Sequence, residues 1–491
     1  MNTKLLKQKI LDLAIRGKLT QQLKSDGTAA DLLKEIASAK SSQSQPKGKK
    51  SKKFAPISRI YCENGVWFEQ LENAKPKDIS EEIPFEIPEN WTWCRLECVC
   101  FDIADIDHKM PAVCDNGIPY ISPLNFVANN KIDFAGAKKI SKEDFLQLSK
   151  KCKPERGDII FPRYGTIGVI RTVETDIDFL VSYSCATIKP CKNHMDARYV
   201  SALLQSPLIQ EIEIPRYINK TTQANVGLQS IKKFLFALPP LAEQRRIVEK
   251  IQEAFAEIDS IENNKELLKT HIKQARQKIL DLAIHGKLVP QNKADEPASV
   301  LLERITRDNP HYEKIEDEPF EIPENWVWCK FGDILAPMQS TSPKGEYFKY
   351  IDIDAIDNST CRIKAPKAIE SKKAPSRASR FTKKGDILFS LVRPYLRNIA
   401  KVIENDCIAS TGFFVCSPII VNSDFCFYLL TSNYVVDGLN QFMKGDNSPS
   451  ISSKNLIDFT IPLPPLKEQS RIVAKIEELF STLDQMERNL V

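Results

Sequence analysis

The feature that most constrains this chain is an internal repeat read in permuted order. QKILDLAIRGKL, from Gln8 to Leu19, returns as QKILDLAIHGKL from Gln277 to Leu288. Leu32-Leu33-Lys34-Glu35-Ile36 returns as Leu301-Leu302-Glu303-Arg304-Ile305, and PFEIPENWTWC (Pro84–Cys94) as PFEIPENWVWC (Pro319–Cys329). Gly157-Asp158-Ile159-Ile160-Phe161 is echoed by Gly385-Asp386-Ile387-Leu388-Phe389, and LPPLAEQRRIVEKI (Leu238–Ile251) by LPPLKEQSRIVAKI (Leu463–Ile476). Matches this long, in one order, set the architecture before local propensity is considered. The middle of the chain runs from LPPLAEQ through to QKILDLAIHGKL; the C-terminus holds only the first half of that unit and the N-terminus only the second. The sequence is therefore a two-module ring cut open within one helix. That predicts approximate two-fold symmetry, with the termini, Met1–Ile36 and Leu466–Val491, packed together beside Leu241–His285.

The central unit reads as one long helix. Stepping four and three residues from Ile247 gives Ile251, Ala254, Ile258, Ile261, Lys265, Leu268, Ile272, Ala275, Ile279 and Leu282, an apolar seam broken only by Lys265. A 3.5-residue period is a coiled-coil seam rather than a generic amphipathic face. The same steps give Ile472, Ile476, Leu479, Leu483, Met486 and Leu490 near the C-terminus, and Leu6, Ile10 and Leu13 near the N-terminus. Pro239-Pro240 and Glu243 suit a helix start, and Gly286 a C-terminal cap. From Leu241 to His285 the helix would span about 70 Å at 1.5 Å per residue. A plain dimerisation coiled coil is the simpler reading of such a run, but the split halves let the chain supply both helices of an antiparallel pair itself.

Between the helices lie two modules that mix short β-branched or aromatic runs (Asp158–Arg163, Gly168–Val173, Ala186–Lys189; Ile387–Leu391, Phe413–Cys416) with helical patches (Ala197–Leu208, Phe425–Thr431). The expected fold class is α+β, with two globular domains separated by long antiparallel coiled-coil helices, pseudo-two-fold, in a circularly permuted repeat. The first half divides into an N-terminal helical part (residues 1–37), a basic linker and connector (38–82) and a first globular domain (83–238). A central helix (239–290), a second connector (291–318), a second globular domain (319–463) and a C-terminal helix (464–491) follow. The modules keep their ends alike and differ almost everywhere between, as copies would that dock alike and read different ligands. Ser38–Lys53, rich in Ser and Lys, reads as a solvated linker, with phosphate contact as the alternative.

Composition narrows the function classes. A net charge of +5 is permissive for DNA binding and no more, since a local basic face suffices. No apolar window reaches the length of a membrane span, the charged N-terminus is not a signal peptide, and thirteen irregularly spaced cysteines suit a reducing cytoplasm. Cys94, Cys98 and Cys100, with His108 and Cys114 downstream, match zinc-site spacing poorly and read as core residues. The sequence has no phosphate loop of the G-x-x-x-x-G-K-[ST] type and no glycine-rich nucleotide loop after a strand. Asp308-Asn309-Pro310-His311-Tyr312 resembles a methyltransferase N-P-P-Y box only faintly, lacking the second proline.

Two divergent domains, each led by E-I-P-x-x-W (Glu86, Ile87, Pro88, Trp91; Glu321, Ile322, Pro323, Trp326), each containing G-D-I-hydrophobic-F and each leaving through L-P-P-L-x-E-Q into a long helix, resemble the specificity subunits of type I restriction–modification systems. The resemblance covers nearly the whole chain. It implies two target recognition domains, each reading half of a bipartite double-stranded DNA site. The helices would set the gap between half-sites and dock two methyltransferase subunits for adenine methylation, with restriction subunits adding cleavage. It also implies no catalysis and no cofactor on this chain, S-adenosylmethionine, ATP and Mg²⁺ belonging to those partners, and a cytoplasmic protein without membrane contact. A rigid rod suits this task, because angular phase on DNA changes with every added base pair.

Direct readout uses Arg, Lys, Asn and Gln on base edges, with hydroxyls and amides on phosphate. Two loops in the first module have that chemistry: Arg163, Tyr164 and Thr166 after the G-D-I-I-F strand, and Arg216, Asn219, Lys220, Thr222 and Gln223 before the exit helix. The second module offers Arg393, Tyr395 and Arg397, then Lys444, Asn447 and Ser448. The competing reading of these residues is structural, with arginines paired to carboxylates and the Thr and Asn residues making turns. Two competing functions are a coiled-coil scaffold whose modules bind protein or sugar, and an S-like part of a fused restriction–methylation enzyme; the second leaves no residues over for catalytic domains.

Overall fold

The computed structural model describes residues 2–42, 58–71, 74–106, 110–128, 130–219, 224–307, 315 and 318–490. The chain divides into two compact units, Met1–Asn263 and Asn264–Val491. Each is α+β, and the central helix, Leu241–Ile284, gives its first turns to one and its last to the other.

That helix runs for 44 residues without a glycine or proline to break it. It ends at Gly286, whose left-handed φ of 66° lets Lys287 N donate to Leu282 O at 2.8 Å. The N-terminal helix, Thr3–Ile15, stops the same way at Gly17, with Lys18 N on Leu13 O at 2.9 Å. Glycine is required at both places for a second reason. A Cβ on Gly17 would lie 2.4 Å from Pro88 Cγ, and one on Gly286 would lie 2.3 Å from Pro323 Cγ. The G-K-L and E-I-P motifs recur together because the helix end is seated on that proline.

The L-P-P-L-x-E-Q motif is likewise a set of contacts made twice. Gln244, fully buried, donates from Nε2 to Pro239 O (2.9 Å) and accepts at Oε1 from Asp196 N (3.0 Å), the cap of helix Ala197–Gln205. Gln469 repeats both bonds with Pro464 O and Asn422 N, each at 2.9 Å, at the cap of helix Ser423–Thr431. Arg246 pairs with Asp26 at 2.6 Å, and Arg471 with Asp295 at 2.6 Å. Glu243 is 0% exposed and accepts from Trp91 Nε1 (2.9 Å), Gln22 Nε2 (2.9 Å) and Thr20 Oγ1 (3.1 Å). Glu468, equally buried, accepts from Gln291 Nε2 at 2.6 Å, but Val289 stands where Thr20 does, and Trp326 Nε1, though near enough to Glu468 to lower its carboxyl, lies outside the geometry of a well-formed hydrogen bond. Burial pushes the Glu468 carboxyl above the usual glutamate range.

Within the first unit the N-terminal helix runs antiparallel to the start of the central helix, with Lys7 on Asp259 and Thr3 on Glu262. Within the second, the C-terminal helix (Leu466–Arg488) runs antiparallel to its end, with Arg276 on Asp484 and 5.1 Å from the Phe480 ring centre. The expected heptad seam is dry near each module, where Ile247, Ile251, Ile258 and Ile272 are buried. Ile261 and Leu268 are exposed at 50% and 40%.

Each globular part hangs from one antiparallel strand pair: Thr92–Arg95 with Leu235–Leu238, and Val327–Lys330 with Thr460–Leu463. The G-D-I-x-F segments form central strands. Ile159–Pro162 lies between Arg171–Thr172 and Cys185–Pro190, and Ile387–Ser390 between Ile399–Lys401 and Phe413–Cys416. Gly157 and Gly385 precede them at φ of 85° and 97°, where a side chain would be strained. The following aspartates are buried anchors: Asp158 accepts from Glu155 N and Lys189 Nζ, and Asp386 from Lys383 N and Ser417 Oγ. A second sheet in each unit holds a parallel pair, Ile118–Ile121 with Leu180–Val181, and Tyr347–Ile351 with Cys407–Ser410.

The first unit also carries a three-stranded meander, Arg59–Glu63, Val66–Gln70 and Lys77–Asp78. Glu69 and Glu82 grip Arg95, which is 5% exposed. The first residues of the expected linker, 38–42, are instead helical, the last turn of helix Ala29–Ser42, with Lys40 buried and donating to Glu97 O at 2.8 Å. The rest of that linker, His108 and the stretch 308–312 lie outside the described residues. Cys94, Cys98 and Cys100 pack in the core of the first unit, their thiols pushed up by burial.

Candidate nucleic-acid interface

In each unit the structure brings together the two loops that the sequence marks separately. Tyr164 bridges Asn225 in antiparallel fashion, and Asn219 bridges the same residue. Val392 bridges Ser450, and so does Lys444. The turn after the central strand is thus laid along a hairpin that precedes the exit strand. Val226 N donates to Arg163 O at 3.0 Å in one unit, and Ile451 N to Leu391 O at 3.0 Å in the other.

That register makes Arg163 the counterpart of Leu391, and corrects the expectation for it. Arg163 is 5% exposed, its Nη1 bonded to Asp105 and its Nε to Val226 O at 3.1 Å. The guanidinium fills a core position and is spent on internal partners. Arg216 is also engaged, with Glu213 and with Glu82 O. Glu213 is 0% exposed and accepts from Leu235 N at 2.9 Å; burial still pushes its carboxyl up. Tyr164 is half-buried, while Thr166 and Asn219 are exposed. Lys220, Thr222 and Gln223 lie outside the described residues.

In the second unit Arg393 is exposed and donates to Asn447 O at 2.7 Å. Arg397 donates to Thr431 O (2.7 Å) and Asn433 Oδ1 (2.6 Å), so it too braces the loop. Tyr395, Lys444, Asn447 and Ser448 are exposed. The sequence reading missed Asp105, Glu213, Thr431 and Asn433, which decide the fate of three of the arginines. Glu213 stands only three residues before Arg216, an i, i+3 pair within reach of local reading, whereas no local pattern announces Asp105, Thr431 or Asn433, which lie 58, 34 and 36 residues from their arginines.

The pattern of the Type I restriction modification DNA specificity domain matches residues 89–270 and 323–490. The chain belongs to the type I restriction–modification specificity family. Each match starts at the E-I-P-x-x-W lead-in and ends within the long helix that follows L-P-P-L-x-E-Q, so a family domain is one globular part plus its exit helix.

Among relatives of this specificity subunit, the Type I restriction enzyme EcoEI specificity subunit of Escherichia coli is 24% identical over 99% of this chain and 90% of its own length. The Type I restriction enzyme EcoAI specificity subunit of the same species is 24% identical over 98% and 90%. A solved chain described as "Structural basis underlying complex assembly and conformational transition of the type I R-M system" shares the fold. It has a TM-score of 0.55 and 21% identity, over 83% of this chain and 94% of that one. Among the described residues, no helix of the specificity subunit is long and apolar enough to cross a membrane.

Proposed function

We propose that each unit reads one half of a bipartite duplex DNA target through its paired loops. The long helices serve to set the gap between half-sites and to dock methyltransferase subunits, for adenine methylation or, with restriction subunits, cleavage. One observation carries this reading: the two units repeat most of their frame contacts at matching positions while the loops that the frame holds carry different side chains. Gln244 and Gln469, Arg246 and Arg471, and Gly17 and Gly286 make the same bonds or contacts. The loops at 163–168 and 393–397 share a place and little else. A frame fixed twice over with variable loops is what reading two unlike half-sites requires. S-adenosylmethionine would sit on the methyltransferase subunits, which flip the target base, and ATP and Mg²⁺ on the restriction subunits. This chain contributes recognition and no chemistry.

The test is to exchange residues 319–463 for the corresponding part of a relative, co-express the chain with its methyltransferase subunits, and map methylated adenines. One half of the methylated motif should change while the other half and the gap stay. Loss of sequence selectivity in the unaltered complex, or a change in both halves, would overturn the reading. Binding should also weaken steeply with salt, the logarithmic slope being about −0.9 per phosphate contacted; a protein or sugar ligand gives no such slope.

A further inference from the structure

The loops that follow the central strands share left-handed backbone at their two ends and neither sequence nor length. In the first unit Gly165 (φ 70°) and Gly168 (φ 78°) bracket the loop; in the second, Arg393 (φ 48°) and Arg397 (φ 54°) do. The equivalence is fixed by matching bonds, Ile170 N to Gly168 O at 3.0 Å and Ile399 N to Arg397 O at 2.8 Å. Left-handed backbone disfavours any residue with a Cβ, and where such strain persists the surroundings must over-determine it.

They do so here. Arg397 is tied to Thr431 O and Asn433, Arg393 to Asn447 O, and Arg393 N to Pro449 O at 2.8 Å. Asn358 Nδ2 holds Leu396 O at 3.0 Å, and Pro394 is buried. Both arginines are engaged in holding the turn. What the turn displays is an apolar pair, Tyr395 at 46% and Leu396 at 39% exposure. Between the two glycines of the first unit stand Thr166 and Ile167, without an aromatic ring. Exposed Lys444, whose backbone pairs with Ser450 beside the loop, supplies a cation suited to phosphate.

We infer that Tyr395 and Leu396 are the base-contacting tip of the second unit, wedging into a base step of its half-site, and that Arg393 and Arg397 are positioning residues. The inference rests on the DNA-reading function proposed above. Apolar side chains inserted between base pairs, with cations nearby on the backbone, are an established way to unstack a DNA step. The arginines then act through the tip, by holding its turn in place before DNA arrives.

The experiment uses the full chain with its methyltransferase subunits and duplexes carrying 2-aminopurine at successive positions of the half-site assigned to residues 319–463. The unaltered complex should raise the fluorescence at one step. Tyr395→Ala with Leu396→Ala should abolish that rise and weaken binding about ten-fold or more, while discrimination at the other half-site is unchanged. Tyr395→Phe should keep the signal. Arg393→Gly, which the backbone favours, should reduce the signal and the affinity in the natural chain but change nothing in the Tyr395→Ala, Leu396→Ala background. If the double variant binds and discriminates like the natural chain, the tip assignment is overturned. If Arg393→Gly weakens binding equally in both backgrounds, Arg393 reads DNA itself and the inference is likewise overturned. Absence of sequence selectivity in the unaltered complex would instead sink the proposed function.

Discussion

The two copies of the glutamate lock place the tryptophan N–H differently, and that difference predicts an asymmetric response to the same substitution. Trp91→Phe removes the N–H that meets Glu243 Oε2 at 2.9 Å; the other donor on that oxygen, Asn90 Nδ2, is distant at 3.4 Å. Glu243 is 0% exposed, so water cannot replace the donor. A hydrogen bond to a charged group contributes about 1.5–3 kcal/mol, and the smaller ring adds a modest packing loss, for a cost of roughly 2–3 kcal/mol. Trp326→Phe removes a donor that faces Glu468 without a well-formed hydrogen bond. It exchanges a poorly made contact to Glu468 for relief of a poorly satisfied buried N–H while losing similar packing, so its net effect should be the smaller of the two, within about 1 kcal/mol. A chain with two units need not unfold in one step, so hydrogen exchange is the assay. Protection of the Thr92–Arg95 and Leu235–Leu238 pair reads one unit, and that of Val327–Lys330 and Thr460–Leu463 the other. Equal losses from the two substitutions would refute the argument. So would a cost for Trp91→Phe that persists undiminished when Glu243 is also changed to Gln, since the cycle isolates the bond.

Three further outcomes follow from the same contacts. Val289→Thr should give Glu468 the hydroxyl that Glu243 already has and stabilise the second unit by about 1 kcal/mol at neutral pH. Because burial raises the Glu468 carboxyl, the folded state holds its proton above the unfolded value of about 4.3. Stability is therefore lost as pH rises through the raised value, and melting midpoints followed upward in pH from the unfolded value should show that loss shrink in the variant. Gly17→Ala and Gly286→Ala each force a Cβ into left-handed backbone and against Pro88 or Pro323; each should cost more than about 2 kcal/mol, seen as a lower melting midpoint. Arg163→Leu should cost about 3 kcal/mol in denaturant titration, because it takes a buried partner from Asp105, and adding Asp105→Asn should recover much of it. If Arg163→Leu were neutral to stability, its place in the core would be wrongly read.

What the sequence disclosed and what it concealed divide by the range of the interaction. The helix ends were legible because Gly17 and Gly286 act within a turn of their own helices, and the lead-in and exit motifs were legible because each exists twice. The duplication did more than confirm an alignment. Gln244 was recognisable only as part of L-P-P-L-x-E-Q; its reason, a side chain tying the proline pair to the cap of a helix beginning at Ala197, lies outside the motif. The arginines show the limit. Arg163 follows a strand in a loop of the right chemistry, yet its pairing with Asp105 spans 58 residues and has no counterpart at Leu391. Nothing periodic connects the two. The heptad seam shows a different limit, since periodicity marks Ile261 and Leu268 as seam residues but cannot say which turns find a partner within the chain.

The same division explains how two copies of one frame can diverge without losing their fold. The bonds that hold each globular part close between its two ends and its helices: the paired strands, the buried glutamine, the arginine on its aspartate, and the glycine on its proline. None of them passes through the loop after the central strand. The local stability of that loop is set by its own braces, glycines with Gln210 Nε2 on Gly168 O in one unit, and in the other Arg397 on a helix-end carbonyl and Arg393 on Asn447 O. Substitutions there change what is displayed while leaving the frame energy nearly untouched, because distant sites with no shared partners contribute additively. Left-handed backbone brackets this loop in both units, at residues 165 and 168 and at 393 and 397, and the side chains between are free to differ.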